Sequence, residues 1–99
     1  MPGGACVLER EMGCTRREFL RWLPGAADHA RAVVEPDGLT LAVAGGGRLR
    51  IDLQERPPRR IARLSLPVLA VRFAFDGVAP ADREAFLARF DAYTRRGGG

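Results

Sequence analysis

Residues 68–75 alternate Val68, Ala70, Arg72 and Ala74 with Leu69, Val71, Phe73 and Phe75, and a period of two puts one set on each face of a strand. The large apolar set and the Asp76-Gly77 turn make this the strongest strand in the chain, expected at or near the centre of a sheet. Leu39, Leu41 and Val43 alternate with Thr40 and Ala42, and Leu49, Ile51 and Leu53 alternate with Arg48, Arg50, Asp52 and Gln54. Both segments read as strands with one buried face. Residues 31–35 form a shorter strand, and Glu35-Pro36-Asp37-Gly38 carries Pro at i+1 and Gly at i+3 of a type I turn. Pro57-Pro58 removes two backbone donors and predicts a break, after which residues 61–66 resume an extended pattern and Pro67 marks an edge or bulge.

Two segments have helical spacing. Thr15 as N-cap and Glu18 three residues on form a capping box, with Cys14 and Phe19 placed as a hydrophobic staple. Phe19, Leu20 and Leu23 follow as an apolar stripe with Trp22 at its margin, and Pro24-Gly25 is expected to end this helix. A second helix starts near Pro80, with Asp82 and Glu84 in its first turn, and Phe86, Leu87, Phe90 and Tyr93 on one face. Asp91 is spaced to pair with Arg95, and Gly97 suits the residue after the helix.

The expected fold is α+β, a two-layer sandwich. An antiparallel meander of four or five strands carries an N-terminal and a C-terminal helix on one face, because both apolar stripes need a cover. Residues 1–14, with Gly3, Gly4 and mixed charge, read as a mobile leader, residues 15–96 as one domain and residues 97–99 as a flexible glycine tail. Met12 offers a second start codon.

Length and composition bound the function more than they name it. A chain of 99 residues makes one modest core, and 46% apolar with 28% charged residues is an ordinary globular balance. All 16 basic residues are Arg, with no Lys or Asn, a pattern that codon bias in a GC-rich genome produces. The net charge of +4 favours weak attraction to anions without specificity. Cys6 and Cys14 match neither a zinc pair nor a redox motif, and read as free thiols in a reducing cytoplasm. No apolar run reaches the roughly 18 residues of a membrane span, so the expected localisation is cytoplasmic with no membrane partner.

The candidate chemistry is thin. Thr15-Arg16-Arg17-Glu18-Phe19-Leu20-Arg21 resembles a twin-arginine export signal, but the following residues are too polar for an apolar h-region, and the capping box accounts for the same positions. His29 is the only histidine and Ser65 the only serine, and neither has a neighbour that would make a metal site or a nucleophile. The glycines at 45–47 lead into a strand, not the helix a phosphate loop needs, so they read as a turn. No catalytic, cofactor-binding or metal residue is nominated, no cofactor is expected, and a non-enzyme is favoured.

What remains is a surface. The uncovered sheet face is expected to carry Thr40, Ala42, Arg48, Arg50, Arg63, Ala70, Arg72 and Ala74, a flat basic surface that Arg56, Arg59 and Arg60 extend. The favoured reading is a binding or accessory module that takes an unknown protein partner or a second copy of itself through this face or an exposed strand edge. Nucleic acid is the second, less favoured partner, since arginine neutralises phosphate but the face lacks aromatics for stacking.

The helix, strands, helix order resembles that of double-stranded RNA-binding domains, although Ala79-Pro80-Ala81-Asp82-Arg83-Glu84 is acidic where that family carries lysines. The Gly97-Gly98-Gly99 ending resembles the tail of ubiquitin-like sulfur carriers, which implies a carrier protein as a minor alternative. Leu64, Leu66, Pro67, Val71, Phe73, Phe75, Gly77, Phe86, Leu87, Phe90, Asp91 and the Arg96-Gly97-Gly98-Gly99 ending carry a resemblance to a family of small uncharacterised bacterial proteins over residues 61–99. That resemblance implies the fold and no activity.

Overall fold

The computed structural model describes residues 5–96, so the glycines of the expected tail lie outside the described residues. The chain runs β1 (Ala5–Met12), α1 (Arg16–Ala26), β2 (Ala32–Glu35), β3 (Gly38–Ala42), β4 (Arg48–Ile61), β5 (Leu64–Asp76) and α2 (Pro80–Arg96). All strands pair antiparallel in one sheet of order β1-β5-β4-β3-β2. The α+β fold with two helices packed together follows the sequence pattern, and residues 32–76 form the expected meander.

The expected leader is the main correction, because residues 5–12 form an edge strand along β5, with Leu8 opposite Phe73 and Met12 opposite Leu69. Cys6, Leu8, Arg10 and Met12 share the face of the β5 apolar set, while Val7, Glu9 and Glu11 point the other way. Arg10 at a covered position hides this alternation in the sequence. Its guanidinium lies over the Phe73 ring, 5.5 Å from the centroid, and is paired by Asp91 of α2. Asp91 therefore reaches across to β1 instead of pairing with Arg95 on its own helix. With a strand preceding α1, the element order also departs from that of double-stranded RNA-binding domains.

The capping box at Thr15 is formed, with the Glu18 amide donating to Thr15 Oγ1 at 3.1 Å and the Thr15 amide donating to Glu18 Oε1 at 2.9 Å. Pro24 does not stop α1, which continues to Ala26 with Pro24 inside its last turn. Bonding continues past it, with the Ala27 amide donating to the Leu23 carbonyl at 2.8 Å, and Gly25 lets Tyr93 of α2 pack directly on the backbone.

The core lies between the helices and one face of the sheet. Phe90 of α2 stacks edge-on to Phe73 of β5 at 5.3 Å and meets Phe19 of α1 at 5.7 Å, so one residue ties both helices to the sheet. Leu39, Leu49, Ile51, Leu69, Val71 and Phe75 complete it, all fully buried. Gly45, Gly46 and Gly47 make the β3–β4 turn, all with positive φ, as their sequence suggested.

Pro57-Pro58 does not end a strand. It sits in a bulge between Arg56 and Arg59, and β4 resumes pairing with β5 beyond it. Residues 61–66 are therefore no separate strand, since Ile61 closes β4, Ala62 and Arg63 turn, and Leu64 opens β5. Pro67 is tolerated because β1 has already ended at Leu69, so no partner on that side asks for its amide.

Candidate functional site

The uncovered face of the sheet carries the even-numbered residues of β3 and β5, Arg48, Arg50, Asp52 and Gln54 of β4, and the β1 residues Val7, Glu9 and Glu11. Register brings opposite charges together across it. Arg50 donates from Nε to Asp52 Oδ1 at 2.8 Å and from Nη2 to Asp37 Oδ1 at 2.8 Å, and Nη1 pairs with Glu35. Asp52 also faces Arg72 at 3.6 Å, and Arg72 faces Glu9 at 3.6 Å. A ladder of alternating charge thus crosses the sheet from β1 to β2.

The expected basic face is therefore a correction. Arg48, Arg50, Arg72 and, where the arm begins, Arg56 share it with Glu9, Glu11, Glu35, Asp52 and Asp76, with Asp37 at its margin, and the balance is acidic. Two of those carboxylates arrive with β1, which the sequence pattern had left out of the sheet. The Arg50 hydrogen bond holds the Asp37 carboxyl below its usual range, and contacts with Asp52 and Glu35 hold Arg50 more firmly protonated.

Among the described residues, Arg48 on this face has no carboxylate within 4 Å, and a group of further arginines, most of them without close carboxylates, lies elsewhere. β3 accompanies β4 only as far as Asp52, and β1 accompanies β5 only down to Leu69, so beyond these points β4 and β5 continue as a two-stranded arm. Every residue from 54 to 66 is exposed, and the molecule measures 48 × 26 × 22 Å. From Glu55 to Ile61 the arm is roughly 15–20 Å long. Arg56, Arg59 and Arg60 lie along it and Arg63 sits in its turn. Sequence reasoning named these arginines but attached them to the sheet face.

Two features of the arm were missed. Ile61 and Leu64 face each other as a directly opposed pair, 53% and 63% exposed, with Leu66 beside them at 42%. The chain also has no Asp or Glu between Glu55 and Asp76, a signal that was present in the sequence. Glu55 itself is turned toward α1, where it accepts from the Arg16 amide at 3.0 Å. Among the described residues, the carboxylate within 4 Å of an arm arginine is that of Glu11, 3.5 Å from Arg59, with both side chains at least 60% exposed.

The two larger of the shallow depressions found among the described residues lie on the body. One, of about 760 Å³, is on the uncovered face among Glu9, Glu11, Asp52, Gln54, Arg56 and Arg72. The other, of about 590 Å³, lies between the β3–β4 turn and α2 among Val43, Gly45, Asp82, Phe86 and Arg89. Neither is lined by a hydroxyl, thiol or imidazole side chain. Ser65 is exposed on the arm, and His29 is exposed in the α1–β2 loop. Both cysteines are free, and burial with the nearby Glu18 charge pushes the Cys14 thiol up to about 11, away from reactive thiolate chemistry. Among the described residues, no His, Cys, Asp and Glu group is placed to hold a metal, and no helix is long and apolar enough to cross a membrane.

No family model, curated protein or solved structure matches this chain.

Proposed function

We propose that this chain is a non-enzymatic binding module whose recognition element is the β4–β5 arm and whose partner is an anionic macromolecule. The observation that carries this reading is the separation of charge. Arg50 and Arg72 on the body are engaged by carboxylates, whereas Arg56, Arg60 and Arg63 have no acidic partner among the described residues and Arg59 has only an exposed one. A fully exposed arm of this kind adds nothing to the core, and exposed charge free of internal partners is available to another molecule.

Retention on a heparin matrix tests it. Replacing Arg59, Arg60 and Arg63 by Ala should lower the eluting salt clearly more than replacing Arg17, Arg21 and Arg95, which are also exposed but lie on the helices. Equal shifts for the two triple variants would mean that only net charge matters, and the reading would fail.

Self-association is the second reading, favoured by the two open edges of the sheet. Val7 on β1 is 49% exposed, and Val33 and Val34 on β2 are 67% and 53% exposed. Edges of this kind add a strand from a second copy. Light scattering that finds a monomer at every concentration removes this reading.

A further inference from the structure

We propose that the arm binds double-helical nucleic acid by entering a groove, with Arg56, Arg59, Arg60 and Arg63 against phosphates and the Ile61 and Leu64 pair wedged against the bases. The inference rests on the arm being the recognition element, and names its partner. Three observations carry it.

The first is where the charge sits on the ribbon. Arg56 and Arg59 pair with Val68 and Leu66 and so share one face, while Arg60, opposite Ser65, lies on the other. Arg63 is in the turn at the end. Charge on both faces and at the apex suits a groove walled by two phosphate backbones. It does not suit a bilayer, where the apex arginine would have to enter deepest and Arg59 would interrupt the apolar side. A second copy of the arm would bring the same four arginines against one another, which disfavours an arm-to-arm dimer.

The second is shape. A two-stranded ribbon, with strands about 4.8 Å apart and side chains on both faces, is an element that duplex grooves admit, the minor groove where it carries an apolar wedge. The third is the chemistry of the apolar residues. Ile61 and Leu64 are aliphatic and sit side by side next to the turn, the arrangement of an apolar wedge that separates base steps. Single-strand binding needs aromatic platforms, and none of the residues on the arm or the uncovered face is aromatic. Phe19, Phe73, Phe75 and Phe90 are in the core, and Trp22, Phe86 and Tyr93 belong to the helices.

The test measures binding of the full chain to a labelled DNA duplex, an RNA duplex of the same length, the matching single strand, and vesicles of phosphatidylserine and phosphatidylcholine. Tighter binding of either duplex than of the single strand or vesicles supports the proposal, and the better duplex identifies the source. With four phosphate contacts, raising salt from 50 to 200 mM should weaken duplex binding about 150-fold, and only about 12-fold for the Arg59→Ala, Arg60→Ala variant. Ile61→Ser with Leu64→Ser should leave that salt dependence in place, and abolish the fluorescence rise of a 2-aminopurine reporter in the duplex. All four side chains are exposed, so unchanged circular dichroism is expected for both variants. An unchanged salt dependence in the arginine variant, or preference for the single strand or for vesicles, overturns the proposal. Arm-dependent heparin retention without duplex binding also overturns it, and leaves the anionic-partner reading standing.

Discussion

At Asp37, 79% exposed and held by the Arg50 guanidinium at 2.8 Å, a single turn residue is coupled to the charge ladder of the uncovered face. Its folded pKa lies below the ordinary value of 3.8, so its contribution to stability is present above that value and is lost as pH falls through the lower, folded one. Thermal unfolding of the wild type and of Asp37→Asn should therefore differ most near neutral pH, and the two should converge in acid. A difference that grows as pH falls would contradict this assignment. The effect should also shrink in high salt, because the pair is solvent-exposed. For the same reason, charge reversal at Arg50 would report on the ladder before it reported on any partner, which makes Arg59 and Arg60 the better probes of binding.

At the scale of single elements, local chemistry accounts for α1 and fails for β4. Thr15, Glu18 and the apolar stripe at Phe19 and Leu23 lie within one or two turns of each other, so the capping box is a matter of spacing alone. Thr15→Ala should cost about 1 kcal/mol, read as a lower urea midpoint with an unchanged slope. Pro57-Pro58 was expected to end a strand because proline donates no hydrogen bond. The outcome depended on the partner, since β5 continues opposite it from Leu66 to Val68 and the pair bulges around the two prolines. Pro24 likewise stays within α1, whose bonding resumes beyond it from the Ala27 amide to the Leu23 carbonyl.

At the scale of the molecule, β1 completes the sheet and sets the charge of its uncovered face. A chain beginning at Met12 would lose seven β5 pairings, the half-buried Leu8 and the Arg10–Asp91 contact beside Phe73. Burial of one or two apolar side chains alone is worth about 3 kcal/mol, so this truncation should melt well below the full chain or aggregate along the exposed edge of β5. A melting temperature matching that of the full chain would show that β1 adds nothing to the fold.

The sequence by itself determined the elements whose signals are local: the alternating apolar faces of β3, β4 and β5, the glycine turn at 45–47, the capped start of α1 and the amphipathic α2. These follow from side-chain periodicity and backbone preferences acting over a few residues. Tertiary structure alone decided that residues 5–12 are a strand, that Glu9, Asp52 and Glu35 engage Arg50 and Arg72 of the face expected to be basic, and that Arg56, Arg59, Arg60 and Arg63 lie on an arm. Each of these depends on which distant strand lies alongside and where it ends. Alternation assigns a side chain to a face, but only the register of the neighbouring strand determines what it meets there.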